Sequence, residues 1–295
     1  EQFQPTGGRA GKRLRPVFCL LACEACGGEW ERALPAAAAV ELLHNFSLIH
    51  DDIEDNDRTR RGRPTLWALW GVPQALNAGD ALYALAHLAL LRLGGRGVPD
   101  GTVVAALGVF TRACLRLTEG QFLDISFETQ EEVSPEAYLR MVEGKTAALL
   151  AAACELGALV AGAGPDRQGR LRDFGHHLGL AFQIQDDLLG IWGDPEVTGK
   201  PVGSDLIRRK KTLPILHGLQ RSGPLRALLA QERPSPEDVG RAVELLEAAG
   251  SRAWAEERAR EQTDRALAAL EAAELRSPAA DGLRQLALRL LGRVR

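Results

Sequence analysis

Apolar residues recur at three- and four-residue spacing along almost the whole chain, and no Val-, Ile- or Thr-rich stretch alternates at a period of two. That periodicity places an apolar stripe on each of a series of helices and leaves no material for a doubly wound sheet or a β-barrel. It predicts helices over Pro16–Cys26, Leu34–Asp55, Ala75–Leu93, Thr102–Phe122, Pro135–Val160, Arg170–Ile191, Leu213–Leu229, Pro236–Ala249, Ser251–Ala273 and Pro278–Leu291. Gly and Pro clusters mark the breaks, among them Gly27-Gly28, Gly94-Gly95, Gly162 to Pro165 and Pro234-Ser235-Pro236. Ser134-Pro135-Glu136 and Ser235-Pro236-Glu237 each offer an N-cap hydroxyl, a Pro at the first helical position and an acid in the first turn. The breaks are short and the helical texture is uniform. The expected fold is therefore all-α, a single domain over residues 1–295 built as a bundle of about ten or more helices.

Composition narrows the function. Hydrophobic residues at 45% and charged residues at 25% are ordinary globular usage and argue against a disordered or fibrous chain. With 36 Lys+Arg against 39 Asp+Glu there is no basic excess to hold a nucleic-acid backbone, and no nucleic-acid partner is expected. Five cysteines, an odd number in a chain long enough to build its own core, argue against a disulfide framework and for a reducing, cytoplasmic setting. No uncharged apolar run reaches the roughly 18 residues of a membrane span. The most apolar stretch, Thr146 to Pro165, is broken by Glu155. No signal-peptide pattern is present, and the chain opens at Glu1 rather than Met, so its true start is expected upstream.

Two acidic clusters carry the chemistry. In the first, an apolar run ends in H-D-D-I-E-D from His50 to Asp55, followed by the arginines Arg58, Arg60, Arg61 and Arg63. Asp51 and Asp55 lie one helical turn apart, with about 5–6 Å between Cβ atoms, and like charges that close call for a cation. Hard oxygen ligands with room for water suit Mg2+ carried on a phosphate-bearing substrate. An EF-hand is excluded, because Asp55-Asn56-Asp57 lacks the required Gly and distal Glu. In the second cluster an apolar run delivers Asp186-Asp187, then a Gly-rich loop, then Lys210-Lys211. Two helices that each end in paired carboxylates and then cations read as two halves of one diphosphate site.

Two basic segments fit the same reading. Gly11-Lys12-Arg13-Leu14-Arg15-Pro16 sets three cations ahead of a helix, and Gly144-Lys145-Thr146 interrupts a helix and could aim an amine and a hydroxyl inward. Neither is a P-loop, since Thr6 and Leu139 stand where its first Gly is required. Cys19, Cys23 and Cys26 have the C-x3-C-x2-C spacing of radical iron–sulfur enzymes. All three share one helix face, however, and the barrel pattern of those enzymes is missing, so small buried hydrophobes are expected. His50, His176 and His177 are likewise expected as core residues.

With these residues in place, the chain strongly resembles the trans-isoprenyl diphosphate synthases, or polyprenyl synthetase family. Five landmarks match in order: G-K-R-L-R-P at Gly11–Pro16, H-N-F-S-L-I-H-D-D-I-E-D at His44–Asp55, R-R-G-R-P-T at Arg60–Thr65, G-K-T at Gly144–Thr146, and F-Q-I-Q-D-D through K-K-T-L-P at Phe182–Pro214. The resemblance implies an isoprenoid synthase fold around a deep central cavity, a homodimer, and two Asp motifs that bind an allylic diphosphate through three Mg2+ ions. By position, Asp51, Asp55 and Asp186 would be direct metal ligands, with Asp52 and Asp187 as close neighbours or water-mediated ligands. Arg60, Lys145, Lys200 and Lys210 resemble the cations around the allylic diphosphate, with Thr146 and Gln183 lining the reacting end. Lys12, Arg15, His44 and Arg61 match the pocket for the second substrate, isopentenyl diphosphate. The implied reaction is ionisation of the allylic C–O bond, attack by the isopentenyl double bond and loss of a proton.

Three departures from the family pattern bear on function. Gly190 stands where a third Asp of the second motif often sits; Asp186 remains, so activity is expected and Gly190→Asp is expected to change little by comparison with Asp51→Asn. Only ten residues precede Gly11, where the family usually carries another helix. The first motif lacks the two-residue insertion of bacterial farnesyl diphosphate synthases. Ser47 and Phe46, four and five residues before Asp51, resemble geranylgeranyl (C20) synthases, with farnesyl or longer-chain products as the alternatives. Two rivals remain: a class I terpene cyclase, opposed by the Lys12, Arg15 and His44 set, and an inactive regulatory subunit, opposed by the intact first motif.

Overall fold

Short polar signals set the helix starts. Ser134 Oγ accepts from Ala137 N at 3.1 Å, and Ser235 forms a reciprocal capping box with Asp238, each followed by Pro in the first turn. The computed structural model describes residues 13–195, 202–231 and 235–292. In chain order the helices are α1 (Leu14–Ala25), α2 (Leu34–Glu54), α3 (Leu66–Trp70), α4 (Val72–Leu91), α5 (Asp100–Thr129), α6 (Pro135–Val142), α7 (Ala148–Val160) and α8 (Pro165–Trp192). They continue as α9 (Ser204–Ile207), α10 (Leu213–Arg221), α11 (Gly223–Leu229), α12 (Pro236–Ala248), α13 (Ser251–Ala272) and α14 (Pro278–Leu291). Among the described residues the only sheet is a two-stranded antiparallel hairpin, β1 (Thr59–Arg60) with β2 (Arg63–Pro64). The chain is all-α, as the periodicity predicts.

Several boundaries differ from expectation, α5 among them, which runs to Thr129 past the expected end at Phe122. α8 begins at Pro165 rather than Arg170, because Pro165 and Asp166 together suit a helix start. The run Leu213–Leu229 breaks at Ser222, which is extended and whose Oγ accepts from Leu225 N at 3.2 Å. Pro224 lacks the N–H that an unbroken helix would use there. Between α6 and α7 the chain makes a π-helical turn, Glu143–Ala147.

The chain divides into two compact units, one of Glu1–Cys114 with Ala152–Gln168 and one of Leu115–Ala151 with Gly169–Arg295. In the first, α2 packs most extensively along α4. Cys19 and Cys23 are fully buried on α1 beside Phe18, and burial pushes the Cys23 thiol up to about 11. They behave as small core residues, as expected. In the second unit, Tyr138, Met141 and Val142 of α6 pack with Leu180, Ile184 and Leu188 of α8, Leu213 and Leu216 of α10, and Ala255 and Ala259 of α13. Among the described residues α5 alone is long and apolar enough to cross a membrane by length and composition, yet only 33% of that stretch is buried.

Candidate active site

In the first unit the acidic end of α2 divides its labour by helix geometry. Consecutive helical residues point about 100° apart, so Asp51 and Asp52 cannot face the same way. Asp51 and Asp55 lie on the more open side, one turn apart, while Asp52 is buried and its Oδ1 accepts from Arg60 Nε at 2.5 Å. Burial raises the Asp52 pKa, and the Arg60 guanidinium works against that rise. Arg60 arrives there because the basic run folds back as the β1–β2 hairpin. The turn residues Arg61 and Gly62 both have positive φ, and Thr65 Oγ1 and Trp67 Nε1 each donate to Asp57 O at 2.9 Å. Two open carboxylates a turn apart form a hard-oxygen donor set that fits Mg2+ carried on phosphates.

The same unit brings together Arg15, His44 and Arg61. Arg15 Nη1 lies 3.3 Å from His44 Nε2. Burial first, then the charges of Arg15, Arg61 and Arg60, pull the His44 pKa down to about 3, so the ring is neutral. Arg15 Nε is buried and has no hydrogen-bond partner among the described residues. A guanidinium with a buried donor that lacks a partner among the described residues, beside a neutral imidazole, has the chemistry to receive an anion. Lys12 lies outside the described residues.

Above the acids, Phe46 heads a run of rings: Phe46 to Tyr83 at 5.4 Å, Tyr83 to His87 at 4.7 Å, and His87 to the buried Phe110 at 5.2 Å between centroids. Ser47 turns its hydroxyl onto His44 O at 2.9 Å. His50 packs 4.6 Å from the Phe46 ring, its Nε2 3.8 Å from Asp80 Oδ1, which fits the core role expected for it.

In the second unit the pair Asp186-Asp187 is split the same way. Asp186 is exposed; Asp187 is buried among three donors. Tyr138 Oη donates to Asp187 Oδ2 at 2.7 Å and Leu213 N to the same oxygen at 3.2 Å. Gln183 Nε2 donates to Oδ1 at 3.1 Å, and Thr146 Oγ1 donates to Gln183 Oε1 at 3.0 Å. One buried network therefore joins Thr146, Gln183, Asp187, Tyr138 and the backbone at Leu213. Burial raises the Asp187 pKa to about 7 despite the donors, and the phenol of Tyr138 is also raised, chiefly by its own burial.

Lys145 sits in the π-helical turn, where its Nζ meets Asp124 Oδ2 at 2.5 Å. That turn is pressed against α5. A Cβ on Gly144 would collide with the Arg116 carbonyl oxygen and come within 2.9 Å of Gly120 Cα, so only glycine allows the approach. Lys210 is exposed, whereas Lys211 donates from Nζ to Phe127 O at 2.5 Å and to Gln130 O, holding the carbonyl end of α5. Lys200 lies outside the described residues. At Gly190 the Asp205 carboxylate packs close: an added Cβ would fall against its Oδ2 and Cγ and 2.9 Å from Oδ1. A side chain at position 190 would therefore require the Asp205 carboxylate to shift.

The sequence reading missed Asp124, Tyr138 and Asp205, and with them Tyr83 and His87. One cue was available for two of these: the chain has only 2 Tyr, and both stand beside the candidate site residues.

A family model described as polyprenyl synthetase matches residues 3–246. The chain belongs to the polyprenyl synthetase family. It is 48% identical over 288 residues to a geranylgeranyl diphosphate synthase of Mycobacterium tuberculosis, covering 96% of this chain and 81% of that protein. It is 47% identical over 268 residues to a (2E,6E)-farnesyl diphosphate synthase of the same organism, covering 88% and 73%. A crystal structure of a polyprenyl synthetase from Streptomyces coelicolor superposes with a TM-score of 0.91 at 42% identity, covering 98% of this chain and 88% of that one. A geranylgeranyl pyrophosphate synthase from Corynebacterium glutamicum, complexed with isoprenyl diphosphate and magnesium, gives a TM-score of 0.86 at 32% identity, covering 96% and 87%. The polyprenyl synthetase chain described here thus has the isoprenoid synthase fold, and it is a trans-prenyltransferase.

Proposed function

We propose that the chain condenses isopentenyl diphosphate with an allylic diphosphate, with geranylgeranyl diphosphate as product. Relatives of nearly equal identity carry farnesyl and geranylgeranyl names, so overall similarity does not choose the length. One observation carries the choice. Phe46 stands five residues before Asp51, roughly 7.5 Å along α2, and is backed by the Tyr83 ring at 5.4 Å, while the smaller Ser47 sits beside it. A wall of rings at that depth suits a C20 chain.

In this reading Asp51, Asp55 and Asp186 hold Mg2+ with the allylic diphosphate. When bound, the metal would neutralise the diphosphate and ease departure of that group. Asp52 fixes Arg60, and Asp187 fixes Gln183 and through it Thr146 at the reacting end. Lys145, Lys200 and Lys210 offset the remaining charge. Arg15, His44, Arg61 and Lys12 receive isopentenyl diphosphate. The family resemblance and the magnesium-bound relative support the metal assignment. The five cysteines, all free, support a cytoplasmic setting. A homodimer is supported by α5, which leaves Leu115 at 61% and Phe122 at 70% exposed along with Val104 and Ile125.

The test is to supply isopentenyl diphosphate, each short allylic diphosphate and Mg2+, and to size the product by chromatography. A dominant C20 product supports the reading; a C15 or C30 product refutes the length, and no Mg2+-dependent condensation refutes the activity. Sedimentation of the chain and of Phe122→Glu tests the dimer: a monomeric parent chain would refute it.

A further inference from the structure

We infer that the turn after α9, residues 207–210, docks the protein reversibly on the surface of an anionic lipid bilayer. The docking goes beyond the proposed reaction and does not depend on it.

The turn is held at both ends and shown outward between them. Its backbone closes on α9: Arg208 N donates to Ser204 O at 3.1 Å, Arg209 N to Leu206 O at 3.1 Å and Lys210 N to Asp205 O at 2.9 Å. On one side the segment is pinned to α8, where Gly203 N donates to Ile191 O at 3.0 Å and Ser204 Oγ to Gly190 O at 3.1 Å. On the other side Lys211 turns away and donates to Phe127 O and Gln130 O at the end of α5. Between these anchors Ile207, Arg208, Arg209 and Lys210 are all exposed.

Three consecutive cations stand there uncompensated. Arg208, Arg209 and Lys210 make no side-chain hydrogen bond or ion pair among the described residues. Exposed arginines of α12 and α13 do: Arg241 meets Glu244 at 2.7 Å, and Arg252 meets Glu256 at 3.0 Å. Asp205, the one acid between Val202 and Lys211, is buried. In a chain of net charge −3 the turn is therefore a local excess of positive charge. Arg209 also adopts φ 54, a conformation that glycine takes freely and a larger residue does not. The fold alone thus gives no reason for an arginine at 209, and the reason lies with its side chain.

Beside the cations, Ile207 is 50% and Val202 47% exposed. Cations at successive positions with aliphatic side chains next to them match a charged headgroup layer over an apolar one. A free phosphate ion would engage the cations but leave Ile207 in water. If the product is a prenyl diphosphate, as proposed, its chain partitions into the same apolar layer on release.

The experiment sediments the full chain with vesicles of phosphatidylcholine and phosphatidylglycerol in equal parts, against vesicles of phosphatidylcholine alone, and follows melting temperature in parallel. The parent chain should bind the mixed vesicles only and lose most of that binding in high salt. Arg208→Gln and Arg209→Gly should each weaken partitioning roughly fivefold, and the pair roughly 25-fold. Ile207→Ser should weaken the binding that remains in high salt. The melting temperature of Arg209→Gly should equal or exceed the parent value, since glycine relieves the left-handed residue, so that its lost binding cannot come from unfolding. A parent chain that ignores the mixed vesicles, equal binding to the neutral ones, or parent-like binding by Arg208→Gln/Arg209→Gly would overturn the inference. So would inorganic diphosphate that raises the melting temperature of the parent but not of that double variant, without vesicle binding, because the turn would then be a soluble-anion site. Turnover is not the readout, so failure here leaves the proposed reaction standing, and failure of the condensation assay leaves the docking standing.

Discussion

Tyr138 and Asp187 meet through one buried hydrogen bond of 2.7 Å, although 49 residues separate them in sequence. The bond fixes the carboxylate that orients Gln183, and Gln183 in turn accepts from Thr146. Tyr138→Phe keeps the packing and deletes one donor from a buried acid. Its stability should fall by about 1–3 kcal/mol, and kcat should fall more than KM for isopentenyl diphosphate. Combining it with Thr146→Val should give less than the sum of the two effects, since both act through one network. Denaturant unfolding and a kinetic double-mutant cycle check this; strict additivity would show that the network does not couple the two residues.

Adjacent acids should fail differently. Asp51→Asn should remove several kcal/mol of transition-state stabilisation and cost less stability than a change at the buried Asp52. Asp52→Asn weakens the hold on the Arg60 guanidinium, 2.5 Å away, and should lower stability as well as activity. Steady-state kinetics set beside thermal melting separate the two. Equal losses of stability in both variants would contradict the division between a more exposed and a buried carboxylate.

The helices were legible because each carries its own local signal. The apolar stripe of α2 and the Ser-Pro starts of α6 and α12 need no distant partner to be read. The acid pairs were legible as pairs, and helix geometry already separates Asp51 from Asp52 by about 100°. What could not be read is which acid turns inward, because that depends on Arg60 in a hairpin and on Tyr138 in another helix. Asp124 and Asp205 stand alone in the sequence, without a neighbouring acid, and gain meaning only from Lys145 and Gly190 across the fold. Gly190 shows the limit plainly. Read along the chain it is a missing acid, and read in space it is the gap another acid fills.

His44 gives a pH dependence of definite sign. Its pKa in the folded chain is about 3, against 6.5 for the free side chain, because burial and the nearby Arg15, Arg61 and Arg60 disfavour the charged ring. The folded pKa is depressed, so the stability linked to this group is present above about 6.5 and is lost as pH falls toward about 3. In His44→Gln the slope of stability against pH between those values should flatten. Urea unfolding at a series of pH values measures it, and an unchanged slope would mean that His44 charges normally in the folded chain.

Product length provides the sharpest check on the aromatic run. Phe46 touches Tyr83, which touches His87, so the rings form successive layers and not a single gate. Removing the first layer alone should lengthen the product modestly, because the Tyr83 ring still stands 5.4 Å behind. Phe46→Ala is therefore expected to shift the distribution from C20 toward C25, and Phe46→Ala/Tyr83→Ala further, toward C30. In the other direction, Ser47→Phe places a ring about one turn from Asp51, roughly 6 Å along the axis, and should shorten the product to C15. None of the three touches the acids, so Mg2+ dependence should persist in each. Chromatographic sizing of products from one shared allylic primer reads all three. A Phe46→Ala product unchanged in length, with Tyr83→Ala alone giving longer chains, would move the floor from α2 to α4. Unchanged products in every variant would place the floor outside this run of rings.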